Sequence, residues 1–438
     1  MIKKKVNYRV PDRLYCITPT GLFEPGMLFT ILKLIKEQYP DEQVVIDPDV
    51  YEIINPKVEG TEVFDRLMLP LRDYQLTANE KALKKGRGIL KIGTGGGKTL
   101  TLASLISSYY MVDKSWKVII IVPTLSLVSQ TYKDFQEYNV PFSYTMWHGN
   151  AEPDLDANVI IANRNIIQTN YDDSHWINFV DMAVIDECHG IKKNNSISKI
   201  VGKINTNIKF GCTGTLPENK IDEWSVLGKI GPVLFDKDSF ELRKEKYLTP
   251  VNVFQVEISY QNPPKIVKGQ NNYYNELDFI YDNVFRNNVI KSTCNGCKNN
   301  TLVLVNHLRH GETLLELISQ LSDKRVYFIS GEMPVDERER IRAEMETNND
   351  IICIAMSSIF STGVNVKNLH NIIFASGGKS FIRIVQSVGR GLRLHELKDK
   401  LNIIDIVDNI KYGSAHGMKR RATYKKEQID YSITKINE

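Results

Sequence analysis

From about Leu67 onward, short apolar runs alternate with longer stretches whose apolar residues recur at helical spacing. The runs are Ile89-Leu90-Lys91-Ile92, Val118-Ile119-Ile120-Ile121-Val122, Val159-Ile160-Ile161 and Ala183-Val184-Ile185. They are β-branched and nearly continuous, the pattern of strands buried on both faces. Runs of four or five residues suit buried helices poorly. Alternation with helical stretches predicts βαβ units and a parallel sheet. The pattern restarts after Tyr247-Leu248-Thr249-Pro250 with Val251 to Ile258, Thr301 to Val305, Val326 to Ile329, Ile351 to Ala355 and Asn371 to Phe374. Two α/β lobes are expected, over residues 67–246 and 247–438, with 261–275, rich in Asn, Pro and Gly, as a surface loop.

Residues 1–66 read as a small separate α+β module. Leu28, Ile31, Leu32 and Ile35 share one face of a helix over Met27 to Tyr39. Pro40 and Asp41 stop it, Val44-Val45-Ile46 reads as a strand, and Pro48, Pro56 and Gly60 mark a loop-rich exit.

The chain has 438 residues, about right for two or three domains. Its 42% apolar and 25% charged residues are an ordinary globular balance. Net charge is only +4, a sum that neither requires nor excludes nucleic acid. The basic stretch Lys419-Arg420-Arg421 with Lys425-Lys426 is read first as a solvated helix face and second as a nucleic-acid contact. Six scattered cysteines suit a reducing compartment. Cys294-Asn-Gly-Cys297 lacks a second ligand pair and reads as two free thiols at a turn. No signal peptide and no run of ~18 apolar residues is present, so a cytoplasmic protein is expected, in the host cell's cytoplasm if phage-encoded.

Candidate chemistry begins at Gly93-Thr94-Gly95-Gly96-Gly97-Lys98-Thr99, between a strand and a helix. Glycines let backbone N–H groups turn toward phosphate oxygens. Lys98 brings charge to the β- and γ-phosphates, and Thr99 brings a hydroxyl to Mg²⁺ at a helix N-terminus. The strict GxxxxGK[ST] spacing has Ile92 at its first position. Asp186-Glu187-Cys188-His189 ends a strand at the same sheet edge. Asp186 is assigned to Mg²⁺ and Glu187 to the attacking water. Downstream, Gln386, Gly389, Arg390 and Arg393 fall on one helical face. An arginine delivered to a γ-phosphate supplies ~10³–10⁵ in rate. The set describes an ATP-hydrolysing engine whose phosphates sit in the first lobe alone.

These residues resemble the motif set of superfamily two DExH-type helicases, over about residues 67–410. Leu71-Arg72-Asp73-Tyr74-Gln75 resembles the adenine-reading motif, with Gln75 on the base edge and Arg72 beside it. Thr94, Gly95, Gly96, Gly97, Lys98 and Thr99 match motif I. Pro123 and Thr124 match motif Ia, a DNA-backbone contact, and Asp186 to His189 match motif II. Thr213-Gly214-Thr215 matches motif III, which with His189 couples hydrolysis to the strand. Ser361-Thr362-Gly363-Val364-Asn365 matches motif V: Ser361 and Thr362 meet DNA, while Gly363 and Asn365 face the nucleotide. Gln386, Arg390 and Arg393 match motif VI. Residues 161–168 match their counterpart only loosely, and Asn365 stands where many members have Asp. Within the superfamily, Phe360 to His370 and Leu22 to Pro48 most resemble the UvsW-type phage helicases of recombination.

The resemblance implies two tandem RecA-like lobes, ATP and Mg²⁺ as cofactors, branched DNA as partner, and monomeric action as the working expectation. Unwinding or branch migration of forked and four-way DNA is the expected activity. A double-strand translocase, an RNA helicase and a non-catalytic nucleic-acid clamp are the alternatives.

Overall fold

The computed structural model describes residues 17–149, 152–170, 175–267, 271–320, 323–357, 366, 368–376 and 400–438. They divide into two compact units, the first closing at Lys237 and the second beginning at Asp238, with the four loop residues Gly93–Gly96 grouped with the second.

The first unit holds strands β1 (Gly88–Ile92), β2 (Val118–Val122), β3 (Tyr144–Trp147), β4 (Val159–Asn163), β5 (Met182–Asp186), β6 (Ile208–Thr213) and β7 (Val233–Lys237). They form one sheet in the order β3-β4-β2-β5-β6-β1-β7, every pair parallel. The second unit holds β8 (Val251–Ser259), β9 (Thr301–Val305), β10 (Arg325–Ile329), β11 (Ile351–Met356), β12 (Asn371–Phe374), β13 (Leu401–Asp408) and β14 (Tyr431–Asn437). Their order is β10-β11-β9-β12-β13-β8-β14, again all parallel. Counted from its own first strand, each sheet runs 3-4-2-5-6-1-7. The expected α/β class with two tandem RecA-like lobes is the fold found.

The inner strands are buried along their length, β2, β4 and β9 at every position. That burial accounts for their unbroken apolar sequence. Strands absent from the sequence reading carry charge or lie at an edge. Lys209 in β6 is buried, its ammonium donating to the carbonyls of Val201 (3.1 Å) and Ile204 (2.7 Å). Burial lowers its pKa to about 8. Asp405 in β13 is buried against Arg420, whose Nε lies 2.9 Å from Oδ1, and accepts from the Tyr424 hydroxyl at 2.7 Å.

Two sequence expectations change in the N-terminal stretch. Val44 to Ile46 belongs to no strand, and Val45 is 86% exposed. Pro48 opens a helix, Pro48–Ile54, capped by the Asp47 carboxylate, which accepts from Asp49 N at 3.0 Å. Proline at the first helical turn removes an N–H that would have no partner anyway. The amphipathic helix runs Leu28–Gln38, preceded by a turn at Pro25–Met27. This stretch packs on the first unit itself. Glu24 pairs with Lys229, and a Cβ at Gly26 would lie 1.9 Å from the Leu227 carbonyl oxygen. Arg87, buried, ties both together by donating to the carbonyls of Ile230 (2.8 Å) and Ile53 (3.0 Å).

The basic C-terminal stretch is the helix Lys411–Lys426, followed by β14, which pairs with β8 along Tyr431 to Asn437. Arg420 serves Asp405, and Arg421 bonds to Gln255 and Glu257 of β8. Lys419, Lys425 and Lys426 stay exposed. No helix among the described residues is long and apolar enough to cross a membrane.

Candidate active site

Parallel pairing brings the ends of β1, β5 and β6 to one edge of the first sheet: Asp186 pairs with Cys212, and Lys91 with Thr213. Ligands meet this kind of sheet at that carboxyl edge. β1 delivers the glycine loop there. Gly95 (φ 82°) and Gly97 (φ 75°) take the left-handed conformation, which costs a residue with a Cβ roughly 1–2 kcal/mol. Gly96 N donates to Gly93 O at 3.0 Å, tightening the turn. Gly97 is the N-cap of the helix Lys98–Val112 and offers no side-chain cap. The first N–H groups of that helix have no carbonyl one turn earlier to meet, and the helix dipole adds positive potential. This is an anion cradle built from backbone.

Gln75 buttresses it. Its Oε1 accepts from Arg72 N at 2.9 Å, and its Nε2 donates to Gly97 O at 3.2 Å. A Cβ on Gly97 would come within 2.5 Å of that same nitrogen. Arg72 reaches the Tyr74 hydroxyl at 3.2 Å, and the Tyr74 ring stacks on Phe235. The helix behind the loop is buried nearly all round. Thr101, Ser107 and Ser108 turn their hydroxyls to carbonyls one turn earlier, Thr101 to Gly97 O at 3.1 Å, while Ser104 donates to Phe64 O at 2.6 Å.

Across the edge, Asp186 closes β5 and Glu187 turns sharply, at φ 50° and ψ 47°. A non-glycine residue in that conformation holds strain of the kind found at functional sites. Cys188 is tucked beneath, its sulfur 2.8 Å from where a Gly211 Cβ would lie. The close approach of Cys188 to Gly211 is not visible in the motif itself, although the Gly-Cys-Thr-Gly-Thr run offers the small residue that marks one.

The side chains form one chain of contacts. Lys98 Nζ lies 3.4 Å from Glu187 Oε1, and His189 Nδ1 lies 3.1 Å from Glu187 Oε2. The same His189 nitrogen is 2.8 Å from Thr213 Oγ1, which donates to Thr215 O at 2.8 Å. Phosphate-loop lysine, motif II and motif III are thus joined in the first lobe. Burial raises the Asp186 pKa, and the adjacent Glu187 charge adds to it. Burial also works to raise Glu187, but the Lys98 ammonium and then His189 outweigh it and hold Glu187 low. Desolvation works to lower the Lys98 pKa, yet Glu187 and then Asp186 outweigh it and keep it raised. The site therefore holds a charged lysine, an ionised Glu187 and an Asp186 carboxylate in need of a cation.

The hydroxyl of Thr99 and the carboxylate of Asp186 are hard oxygen donors of the kind Mg²⁺ takes, few in number because phosphate oxygens and water complete its shell. Among the described residues no cluster of three or more His, Cys, Asp or Glu side chains could hold a metal. Cys294 and Cys297 are free thiols at the end of the helix Val284–Gly296.

Thr124 follows Pro123 beyond β2 and caps the helix Leu125–Tyr138, its Oγ1 accepting from Leu127 N at 3.3 Å. Arg164, which sequence reasoning passed over in the loosely matching 161–168 stretch, lines a recess of about 20 Å³ with Pro123, Asp186 and Glu187. Its position directly after β4 was the available signal. Ser361, Thr362, Gly363, Asn365, Gln386, Arg390 and Arg393 lie outside the described residues.

Two RecA-like sheets, the first carrying a phosphate loop and an Asp-Glu-Cys-His turn, define a nucleoside triphosphate-hydrolysing motor. The family model for the type III restriction enzyme res subunit matches residues 68–218, and that for the helicase conserved C-terminal domain matches 285–395. The ATP-dependent DNA helicase uvsW of Enterobacteria phage T4 is 29% identical over 391 residues, covering 83% of this chain and 77% of that one. The Pyrococcus furiosus Hef helicase domain shares the fold at a TM-score of 0.56 and 14% identity, over 80% of this chain and 98% of that one. The type ISP restriction-modification enzyme LlaBIII, solved bound to DNA, does so at 0.63 and 15%, over 84% of this chain and 32% of that one. The chain belongs to the superfamily two helicases, ATP-hydrolysing enzymes, and within them resembles the UvsW-type phage helicases.

Proposed function

We propose that this helicase acts on DNA, and that it unwinds or branch-migrates forked and four-way DNA in recombination, repair or replication. The observation that carries this reading is the joined Lys98–Glu187–His189–Thr213 contacts, a path from the phosphate loop to motif III. The 29% identity with a phage DNA helicase supplies the nucleic acid.

In this reading Lys98 and the backbone of Thr94 to Gly97 hold the ATP phosphates. Thr99 and Asp186 would hold Mg²⁺, which would supply positive charge to the phosphates. Glu187 orients the attacking water, and Lys98 keeps it ionised for that task. Gln75 and Arg72 meet the adenine. His189, Thr213 and Thr215 carry the change toward the strand, which Pro123, Thr124, Ser361 and Thr362 hold by its backbone. Gly363, Asn365, Gln386, Arg390 and Arg393 complete the site, the two arginines acting on the γ-phosphate.

The test is ATPase stimulation and strand separation measured on single-stranded, duplex, forked and four-way DNA. Greatest stimulation and strand separation on the branched substrates is expected; equal stimulation by RNA would overturn the DNA assignment. A second reading, a double-strand translocase, is favoured by the restriction-subunit match over 68–218. Triplex displacement without strand separation on a fork would select it.

A further inference from the structure

In the second sheet, one face is aliphatic along most of its length: Val303, Val305, Ile373, Ile404, Ile406 and Ile258 are buried there in a single cluster. At the edge where its strands begin, that face turns polar. Thr301, Asn371, Asn402 and Asn252 stand side by side on four adjacent strands. Parallel strands covered by helices are apolar at such positions, and a row of amides there has to be satisfied or has to meet something.

Part of the row is satisfied. Asn371 Nδ2 donates to Lys298 O at 2.5 Å, and its Oδ1 accepts from Asn402 Nδ2 at 3.1 Å. Beside it opens a cavity of about 600 Å³, lined by Phe254, Lys298, His370, Asn371, Lys400 and Asn402 among others. No carboxylate is among its described lining residues. The Phe254 ring is 43% exposed, on the strand position paired with Ile404. The helix Val284–Gly296 ends at this cavity, leaving the Phe254 ring exposed and Asn402 half-buried, while Asn371 beneath them is buried.

We propose that this cavity is a second nucleotide-binding site, separate from the phosphate loop. Phe254 offers a stacking platform for a base, Asn402, its Nδ2 held by the buried Asn371, offers its amide oxygen to a base edge, and Lys298 and Lys400 meet phosphate. A volume of this size suits one nucleotide, and an aromatic ring beside paired cations is how proteins take a base with its phosphate. The nucleotide is either free or one unit of a single strand; both present the same chemistry.

The experiment uses the full chain and two probes, ADP in equilibrium dialysis and a short oligothymidylate in fluorescence anisotropy. Two variants are compared with wild type: Phe254→Ala and Lys298→Glu/Lys400→Glu. Basal ATPase, which these residues do not serve, confirms that each is folded. If free nucleotide is the ligand, wild type binds two equivalents of ADP and both variants bind one. If a strand is the ligand, wild type binds one equivalent and both variants bind the oligonucleotide about tenfold more weakly, the order expected for losing one stacked base. Lys98→Ala separates this proposal from the active-site assignment, since it should lose the phosphate-loop equivalent only. One equivalent of ADP in wild type, together with unchanged oligonucleotide affinity in both variants, would overturn the proposal.

Discussion

The two lobes share a strand order but treat one corner in opposite ways. In the first, β1 runs out into a glycine loop, and the corner holds Lys98, Glu187, His189 and Thr213, all reachable by solvent or substrate except the buried threonine. In the second, β8 runs out into Tyr260, and the corresponding end of the sixth strand is Asp408. The carboxylate of Asp408 takes Arg286 Nε at 2.7 Å and the Tyr260 hydroxyl; arginine and aspartate are 0% and 1% exposed. Arg286 also donates to Ala375 O at 2.7 Å, just past β12. One corner is kept open, strained and charged, while its counterpart is filled by an ion pair and an aromatic ring. The difference shows that one strand order can carry either chemistry or packing at this corner: a glycine loop leaves it room for a ligand, and groups that satisfy one another fill it.

The largest effects are expected at the open corner. Lys98→Ala and Glu187→Gln should each lower kcat for ATP hydrolysis by about 10²–10³-fold or more. Lys98→Ala should also weaken ATP binding, whereas Glu187→Gln should bind ATP normally, because only the water-orienting charge is lost. Near wild-type turnover in Glu187→Gln would remove that residue from the catalytic role.

At the closed corner the expected effect falls on stability. Arg286→Ala leaves a buried Asp408 without its partner and should cost about 3–5 kcal/mol in denaturant unfolding. Arg286→Met combined with Asp408→Leu should recover much of that loss, since neither charge is then left alone. A double variant as unstable as the single one would show that the pair does more than satisfy itself.

A titration sharpens the same contrast. His310 is buried beside Arg286 and stacks on Tyr281, its Nε2 3.1 Å from Asn287 Oδ1. Burial first, then the Arg286 and His307 charges, depress its pKa to about 3. The unfolded chain takes up this proton below its ordinary value near 6.5, and the folded chain does not until about pH 3. Stability from this group is therefore complete above about pH 6.5 and falls steadily as the pH drops toward 3, by about 1–2 kcal/mol between pH 7 and pH 5. His310→Asn should flatten that dependence; an unchanged pH profile would show that the histidine is not held neutral.

The smallest effect is expected at the link out of the open corner. Thr213→Val removes a hydroxyl worth about 0.5–1.5 kcal/mol in hydrogen bonds. It should lower strand separation more than ATP hydrolysis, measured on one forked substrate. Equal losses in both would make Thr213 part of the hydrolytic site instead of the coupling path.

How much of this was legible in sequence depended on whether a residue's neighbours lay along the chain or across it. β2, β9 and β12 were read to the residue because complete burial writes an unbroken apolar run. β6 and β13 are hidden in sequence because Lys209 and Asp405 interrupt the pattern, and the groups that make those charges tolerable, the Val201 and Ile204 carbonyls and Arg420, belong to neighbouring elements whose packing strand periodicity does not show. β14, polar at an exposed edge, was hidden in what read as a charged tail. Lys98, Thr99, Asp186 and Glu187 were visible because phosphate chemistry demands those residues in contiguous stretches. The buttress from Gln75 to Gly97, the room Gly211 makes for Cys188, and the nearness of Arg164 are relations between distant segments, and no spacing along the chain encodes them.

The place of β8 has a bearing on how the protein is made. Its two neighbours are β13 and β14, which begin at Leu401 and Tyr431. β1 likewise waits for β6 and β7. In each lobe the strand synthesised first is the one paired last. During translation β8 leaves the ribosome with both edges bare and keeps them so until nearly the whole second lobe has followed. Bare strand edges on a slow, parallel topology invite pairing with other chains. A ribosome stalled before Tyr431 would therefore carry a chain with a bare strand edge, an adhesive intermediate and not a smaller working domain.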